Sequence, residues 1–214
     1  MIKGILFDLD GVLVDSMPHH LKAWKWIFDQ QNIPVTQHTL ALHEGYRSPD
    51  MAREIAKEAG IKISEDEAIE IITRKRAYYQ KIAHVEFFPH ALEVVHKLRA
   101  LKKKCAIVTS CVRKSLQKAV PTTDMTLFDY IITGDEITRG KPNPDPYLIA
   151  RDRLSLKSEE CVVIENAPLG IQSAKAAGMI CIAITTTLKA EELEGADYFV
   201  DDIIDILPII QKLG

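Results

Sequence analysis

The sequence predicts an α/β protein with a doubly wound parallel sheet, into which an all-helical cap is inserted after the first strand. Short apolar runs rich in β-branched or aromatic residues alternate with helix-like segments from about residue 85 to the end. Continuous apolarity, as opposed to alternation, indicates strands buried on both faces of a parallel sheet. Residues 16–83 are long, charged and helical in pattern, so we assign 1–15 and 84–214 to the core and 16–83 to the cap.

The predicted elements follow in chain order. Each apolar run has the length of a strand; the runs are Ile5–Phe7, Cys105–Val108, Tyr130–Ile132, Cys161–Ile164, Cys181–Ile184 and Tyr198–Val200. Cap helices are predicted after Ser16, over Pro49–Ala59, and after Ser64, where Glu67 completes a capping-box pattern. Core helices are predicted over Ala91–Leu101, Pro146–Leu154, Ile171–Ala177 and Ile203–Leu213.

Composition and charge indicate which classes of protein this chain fits. The chain has 214 residues and a formal net charge of -3, which gives no support for nucleic-acid binding through bulk charge. No run of about 18 apolar residues predicts a membrane span, and no secretory leader is recognisable. The four cysteines form no CxxC pair and no zinc-type spacing. We therefore expect a reduced, cytoplasmic monomer.

Polar side chains follow several of the predicted strands at the point where each strand ends. The residues concerned are Asp8 and Asp10, Thr109 and Ser110, Lys141, and Glu165 and Asn166. In open α/β sheets, ligands bind beyond the carboxyl ends of parallel strands, so we expect these side chains to converge on one rim.

The predicted rim carries the groups needed for phosphoryl transfer to a carboxylate. Repulsion among Asp8, Asp10 and Glu165 is relieved by a hard divalent cation, and Mg²⁺ binds carboxylate and phosphate oxygens. Thr109 stands at a helix start, which favours an anion, and Lys141 adds a positive charge for phosphate. We expect Asp8 to attack phosphorus, and Asp10 to protonate the leaving oxygen and then activate water.

Four motifs resemble those of the haloacid-dehalogenase-like (HAD) superfamily, in the branch with a helical cap. They are "DLDGVLVDS" from Asp8, "VTS" with Thr109, "GKPNPDPY" with Lys141, and "VIENAPLGIQSAKAAGM" from Val163, in the family's order. The resemblance implies a Rossmann-like core, Asp8 as nucleophile and Asp10 as general acid and base. It also implies Mg²⁺ held by Asp8, the backbone carbonyl of Asp10 and the acidic fourth motif.

The fourth motif departs from the family pattern at one position. Family members often carry Glu-Asp there, whereas this chain has Glu165 followed by Asn166. The amide oxygen of Asn166 can ligate a cation without contributing charge. Three arrangements remain open: weak ligation by Asn166, ligation by Glu165, or a bridging water.

The cap resembles those of beta-phosphoglucomutases and small-sugar phosphatases. "HHLKAWKWI" offers His20, and "TRKRAYY" places Lys75 at a position that faces substrate in the mutases, although a solvated helix face is the competing interpretation of Lys75. Arg47 can grip a second anionic group bidentately, but in "EGYRSPD" it precedes Ser48, unlike the mutase Gly-x-Ser-Arg.

These observations favour a Mg²⁺-dependent phosphatase acting on a small phosphorylated metabolite through an aspartyl-phosphate. A phosphosugar mutase with the same nucleophile is the neighbouring alternative. A catalytically weak sugar-phosphate-binding regulatory protein is the alternative of another class, and the Asn166 substitution is the feature that favours it.

Overall fold

The computed structural model describes residues 1–119 and 121–214, and in this part of the chain a six-stranded parallel sheet forms the centre of the fold. Its order is β3-β2-β1-β4-β5-β6. The strands are β1 (Gly4–Phe7), β2 (Lys104–Val108), β3 (Tyr130–Ile132), β4 (Cys161–Glu165), β5 (Ile180–Ile184) and β6 (Tyr198–Val200). The predicted fold class and all predicted strands are confirmed, with ends shifted by at most one residue.

The register of the sheet positions the candidate site. Phe7 at the end of β1 pairs with Ile107 on one side and Ile164 on the other. The next residue, Asp8, therefore emerges between the ends of β2 and β4, at the point where the strand order reverses. This is the position at which doubly wound sheets bind ligands.

Helices cover both faces of the sheet. The helices are α1 (Met17–Gln30), α2 (Gln37–Leu42), α3 (Ser48–Glu58), α4 (Glu65–Ile82), α5 (Ala91–Ala100), α6 (Arg113–Ala119), α7 (Thr122–Met125), α8 (Asp145–Arg153), α9 (Pro168–Ala176) and α10 (Ile206–Lys212). Apolar residues of α5 and α10 pack on one face, and those of α8 and α9 pack on the other. Burial of β1 on both faces explains its uninterrupted apolar sequence.

Helices α1 to α4, here called the cap helices, enclose a hydrophobic cluster of their own. Trp24 and Phe28 of α1 stack at 5.3 Å between ring centroids, and Ile55 of α3 and Ile71 of α4 belong to the same cluster. The capping box predicted at Ser64 and Glu67 is present.

In this region one helix was not predicted, and one expected side-chain cap is absent. Helix α2 was not predicted, because its six residues are too few for a clear apolar period; Thr36 caps it by accepting from the N–H of Thr39. Ser16 begins α1 without a side-chain cap, because its hydroxyl instead donates to Asp10.

Within residues 1–119 and 121–214, no helix is long and apolar enough to cross a membrane.

Candidate active site

Lys141 joins two carboxylates at the carboxyl end of the sheet. It lies on the loop between β3 and α8, and its buried Nζ donates to Oδ1 of Asp8 and Oε1 of Glu165, each at 2.6 Å. A third, longer contact reaches the carbonyl of Val108 at 3.3 Å. Burial lowers the pKa of Lys141, but the charges of Asp8 and Glu165 outweigh it and raise that pKa above its ordinary value. Lys141 therefore stays charged and offsets part of the negative charge of Asp8 and Glu165.

Glu165, the last residue of β4, has hydrogen bonds on both carboxylate oxygens. Oε1 also accepts from the hydroxyl of Tyr147 on α8 at 2.5 Å, and Oε2 accepts from the N–H of Asn166 at 3.0 Å. A Cβ at Gly170 on α9 would lie 1.8 Å from Oε1, so only glycine permits this close approach. Oε1 of Glu165 thus accepts from both Lys141 and Tyr147, and Oε2 accepts from the backbone.

Asp8 is buried, with 8% of its surface exposed. Burial raises the pKa of its carboxyl to about 8; Lys141 acts in the opposite direction, and the charges of Glu165 and Asp10 add to the rise. Additional positive charge at this site would favour the ionised form of Asp8.

Asp10 is held from two sides. The hydroxyl of Ser16 donates to its Oδ1, and Nε2 of His20 lies 3.3 Å from the same oxygen. Burial raises the pKa of Asp10, but the positive charge carried by the His20–Lys75 pair and the hydrogen bonds from His20 and Ser16 outweigh burial and hold that pKa below its ordinary value. Asp10 is therefore ionised in this arrangement.

Lys75 of α4 extends this chain of contacts. Its ammonium donates to Nδ1 of His20 at 2.8 Å, which assigns the ring proton to Nε2, facing Asp10. Lys75 is only 4% exposed, and its Nζ lies over the rings of Trp24 and Tyr79 at 4.8 and 5.2 Å. The interpretation of Lys75 as part of a solvated helix face is wrong, because the aromatic residues of the cap enclose it.

Thr109 and Ser110 follow β2 as predicted, but their hydroxyls have different surroundings. Thr109 is buried, and its Oγ1 accepts from the N–H of Cys111 at 3.1 Å. Ser110 donates to the carbonyl of Gly45 at 2.5 Å, which joins the core to the loop between α2 and α3. The side chain of Ser110 is thus used in a contact between core and cap helices.

Arg47 does not join the group formed by Asp10, His20 and Lys75. Its Nε donates to Asp50 at 2.9 Å, and its Nη1 donates to the carbonyl of Ile137 in the core at 3.1 Å. It lines a different cavity from the one that His20 and Lys75 line. In this arrangement Arg47 bridges a cap helix and the core.

Two cavities meet at Asp10. A small cavity of about 30 Å³ is lined by Asp8, Asp10, Thr109 and Asn166 among others, and has room for little more than a water-sized occupant. A larger cavity of about 440 Å³ extends from Asp10 past His20, Lys75, Arg76 and Tyr79. The larger space has the size of a small-molecule site and is lined by several basic side chains.

The residues of the small cavity fit a hard divalent cation. Nδ2 of Asn166 donates to Oγ1 of Thr187 at 2.9 Å, which fixes the amide and leaves its carbonyl oxygen for a cation. In the described part of the chain, no three His, Cys, Asp or Glu side chains are gathered so as to hold a metal by themselves. Asp8 can supply a carboxylate oxygen, Asp10 its backbone carbonyl and Asn166 an amide oxygen, and Mg²⁺ accepts such oxygen donors when water and phosphate oxygens complete its shell.

Several residues of this site were not predicted from the sequence. Thr186 and Thr187 follow β5 and hold Gly11 and Asn166, so the rule applied to the ends of the other strands would have found them. Tyr147 ends the quoted "GKPNPDPY" motif. Glu44 lines the small cavity from the loop between α2 and α3, and no sequence pattern that we used points to it.

Comparison with known proteins identifies relatives over nearly the full chain. The model of the haloacid dehalogenase-like hydrolase family matches residues 5–184. Validoxylamine A 7'-phosphate phosphatase of Streptomyces hygroscopicus subsp. limoneus is 33% identical over 208 residues, covering 96% of each chain. Beta-phosphoglucomutase of Bacillus subtilis strain 168 is 28% identical, over 96% of this chain and 92% of the mutase. The crystal structure of a hydrolase from Pseudomonas syringae superposes with a TM-score of 0.90 at 27% identity, covering 98% of both chains.

Proposed function

Because this chain belongs to the haloacid dehalogenase-like hydrolase family, we propose that it hydrolyses the phosphate ester of a small metabolite through a covalent phosphoryl intermediate on Asp8. The observation that carries the proposal is the buried Lys141 ammonium, 2.6 Å from Asp8, with Asp10 lining the same small cavity. A carboxylate nucleophile beside a fixed cation and a second carboxylate matches the requirements of phosphoryl transfer.

In the first step, an oxygen of Asp8 forms a bond to phosphorus while the bond from phosphorus to the ester oxygen breaks. Lys141 lies against Asp8 and balances charge on the transferred group. Asp10 is ionised at rest, so it first takes the Nε2 proton of His20, 3.3 Å away, while Nδ1 of His20 takes a proton from Lys75. The leaving oxygen then takes this proton from Asp10, which returns to the carboxylate form.

In the second step, a water molecule attacks phosphorus and releases inorganic phosphate, which regenerates Asp8. Asp10 accepts the proton of the water, and the lowered pKa of Asp10 keeps the carboxylate in the form that this step needs. Ser16 and His20 fix the orientation of Asp10 for both steps.

Asp8, the backbone carbonyl of Asp10 and the amide oxygen of Asn166 are the groups that we assign to Mg²⁺. The ion supplies positive charge that offsets the crowded carboxylates and favours ionised Asp8. We favour Asn166 over Glu165 as the ligand from the fourth motif, because both oxygens of Glu165 already accept hydrogen bonds.

The basic lining of the larger cavity supports a small, polar phosphorylated substrate. His20, Lys75 and Arg76 face this space, and Tyr79 adds a ring against which a sugar-like group can pack. The named activities of the relatives, a phosphatase of a 7'-phosphate and a phosphoglucomutase, agree with a sugar-phosphate-like substrate.

The test is a panel of sugar phosphates and other phosphate monoesters, assayed for phosphate release with and without Mg²⁺. We expect turnover that requires Mg²⁺ and falls at least about a thousandfold in Asp8→Asn, which removes the nucleophile without changing its size. Asp15→Asn, at the next acidic position of the first motif, is the matched control and should retain activity. Retained activity in Asp8→Asn would remove Asp8 from its role.

The mutase alternative is favoured by one observation, the near full-length similarity to beta-phosphoglucomutase. Both anomers of glucose 1-phosphate therefore belong in the panel. Formation of glucose 6-phosphate without release of phosphate would identify a mutase and overturn the phosphatase assignment. Tight binding of a sugar phosphate without either product would support a binding protein.

A further inference from the structure

Glu44 brings an acidic side chain from the cap helices to the small cavity at Asp8. It lies on the loop between α2 and α3 and lines this cavity together with Asp8, Asp10 and Asn166. Its Oε1 is buried and has no hydrogen-bond partner within residues 1–119 and 121–214. Leaving a buried polar oxygen without a partner costs about 1–3 kcal/mol, so this arrangement indicates an additional occupant. Burial raises the pKa of Glu44, and a cation at this place would favour its ionised form.

The surrounding side chains do not satisfy Glu44. The His20–Lys75 pair and Asp10 act on Glu44 through their charges, and the backbone of Gly45 donates a hydrogen bond to its carboxyl group, but Oε1 receives none. Lys75 donates instead to Nδ1 of His20, and His20 in turn faces Asp10. Lys141 is fully engaged by Asp8 and Glu165. The cavity therefore has four acids around it, and among residues 1–119 and 121–214 no basic side chain donates a hydrogen bond to Oε1 of Glu44, although the charge of Lys75 acts on it.

The chemistry of the cavity selects among possible occupants. An unpaired carboxylate oxygen repels a phosphate group, so Glu44 does not bind the phosphoryl group directly. A cavity of about 30 Å³ has room for an ion or a water. Asn166 contributes no charge to the cation site, whereas an aspartate at this position would contribute one negative charge. Glu44 lines the same cavity, and its Oε1 has no hydrogen-bond partner in the described part of the chain.

We propose that Glu44 supplies, from the cap helices, the negative charge that Asn166 does not provide, and binds the divalent cation directly or through one water. The proposal rests on the proposed function only for the identity of the cation. It implies that cap and core each contribute to one metal site. Cation binding would then favour the arrangement in which the loop of Glu44 lies against the core.

Metal affinity of the full-length protein tests this proposal without an activity assay. Binding of Mg²⁺ is measured by calorimetry, and binding of Mn²⁺ by electron paramagnetic resonance, for wild type, Glu44→Gln, Asn166→Asp and the double variant. We expect Glu44→Gln to weaken binding about tenfold or more, in the range found when groups around a metal are removed. In the double variant, Asn166→Asp returns the missing charge, and we expect affinity to recover toward the wild-type value.

Glu54→Gln is the matched control, since Glu54 is also a cap glutamate but pairs with Lys57 at the surface. Equal affinities in Glu44→Gln and Glu54→Gln would overturn the proposal and leave Glu44 as a counter-charge to Lys75. Should Glu44→Gln fail to fold, Glu44→Asp keeps the charge on a shorter side chain, and unchanged affinity there would count against a specific ligand. Failure of the proposed function is recognised separately, by absence of phosphate release from wild type.

Discussion

At the residue scale, the buried charges of the site depend on one another. Lys141 bonds to Asp8 and Glu165, and Tyr147 bonds to Glu165, so removing one member leaves buried partners unsatisfied. Breaking a buried ion pair by deleting one partner typically costs about 3–5 kcal/mol. The same bonds hold Asp8 in place against β2 and β4. Stability and the position of Asp8, the proposed nucleophile, are therefore set by one network.

We expect Lys75 to make substrate binding depend on pH. Burial lowers the pKa of Lys75 to about 8, against the opposing charges of Glu44 and Asp10. The ammonium is thus charged below pH 8 and becomes neutral as the pH rises through that value, which removes a positive charge from the larger cavity. We expect KM for a phosphate ester to rise about tenfold between pH 7 and pH 9, as measured by steady-state kinetics over this range.

The control is Lys75→Arg, because a guanidinium stays protonated throughout this range. Its KM should vary with pH much less than that of wild type, even if its value at pH 7 differs. A rise of the same size in Lys75→Arg would assign the pH dependence to another group and exclude Lys75.

The sequence correctly predicted that Asp8, Lys141 and Glu165 lie close together, because position after a parallel strand determines where a side chain emerges. It could not determine which oxygen faces which partner. Glu165 turns toward Lys141 because Tyr147 on α8 and the absence of a side chain at Gly170 on α9 allow it. Such packing between distant segments leaves no local pattern in the sequence.

At the scale of elements, strands were predicted better than short helices and loops. Strands buried on both faces have an unbroken apolar sequence, whereas α2, with six residues, has too few positions to establish a period. The loop that carries Glu44 follows α2, so the loop could not be located from the sequence because this helix was not predicted. The division at residues 15/16 and 83/84 remains a prediction.

The close packing of α9 against the end of β4 leads to a prediction at Gly170. In Gly170→Ala the new methyl group would overlap Glu165, which Lys141 and Tyr147 hold in place. We expect the free energy of unfolding to fall by about 1–3 kcal/mol, the usual cost of overpacking, and turnover to fall with it. Chemical denaturation and steady-state kinetics measure the two effects.

A double-mutant cycle isolates the cause. In a Glu165→Ala background the obstructing carboxylate is absent, so the added methyl group should cost much less than it does in wild type. The same cost in both backgrounds would show that the backbone of α9, and not Glu165, opposes the substitution.

At the scale of the whole molecule, the loop between α2 and α3 joins the cap helices to the core. Ser110 donates to the carbonyl of Gly45, Arg47 donates to the carbonyl of Ile137, and Glu44 lies at the cavity of Asp8. The sequence predicted the cap helices and the sheet separately, and it could not predict the contacts between them. These contacts give Arg47 a position different from the one expected of a substrate-binding arginine.

The two interpretations of Arg47 predict different kinetics in Arg47→Ala. If Arg47 holds the loop on the core, its loss removes a charged hydrogen bond worth about 1.5–3 kcal/mol. We then expect kcat/KM to fall about tenfold, and by a similar factor for every ester. We also expect hydrogen exchange to become faster at residues 43–47. Arg53→Ala is the control, since Arg53 contacts the same Asp50 and lacks the contact with the core. A fall in kcat/KM that is confined to bisphosphate substrates, without faster hydrogen exchange, would instead indicate that Arg47 binds substrate.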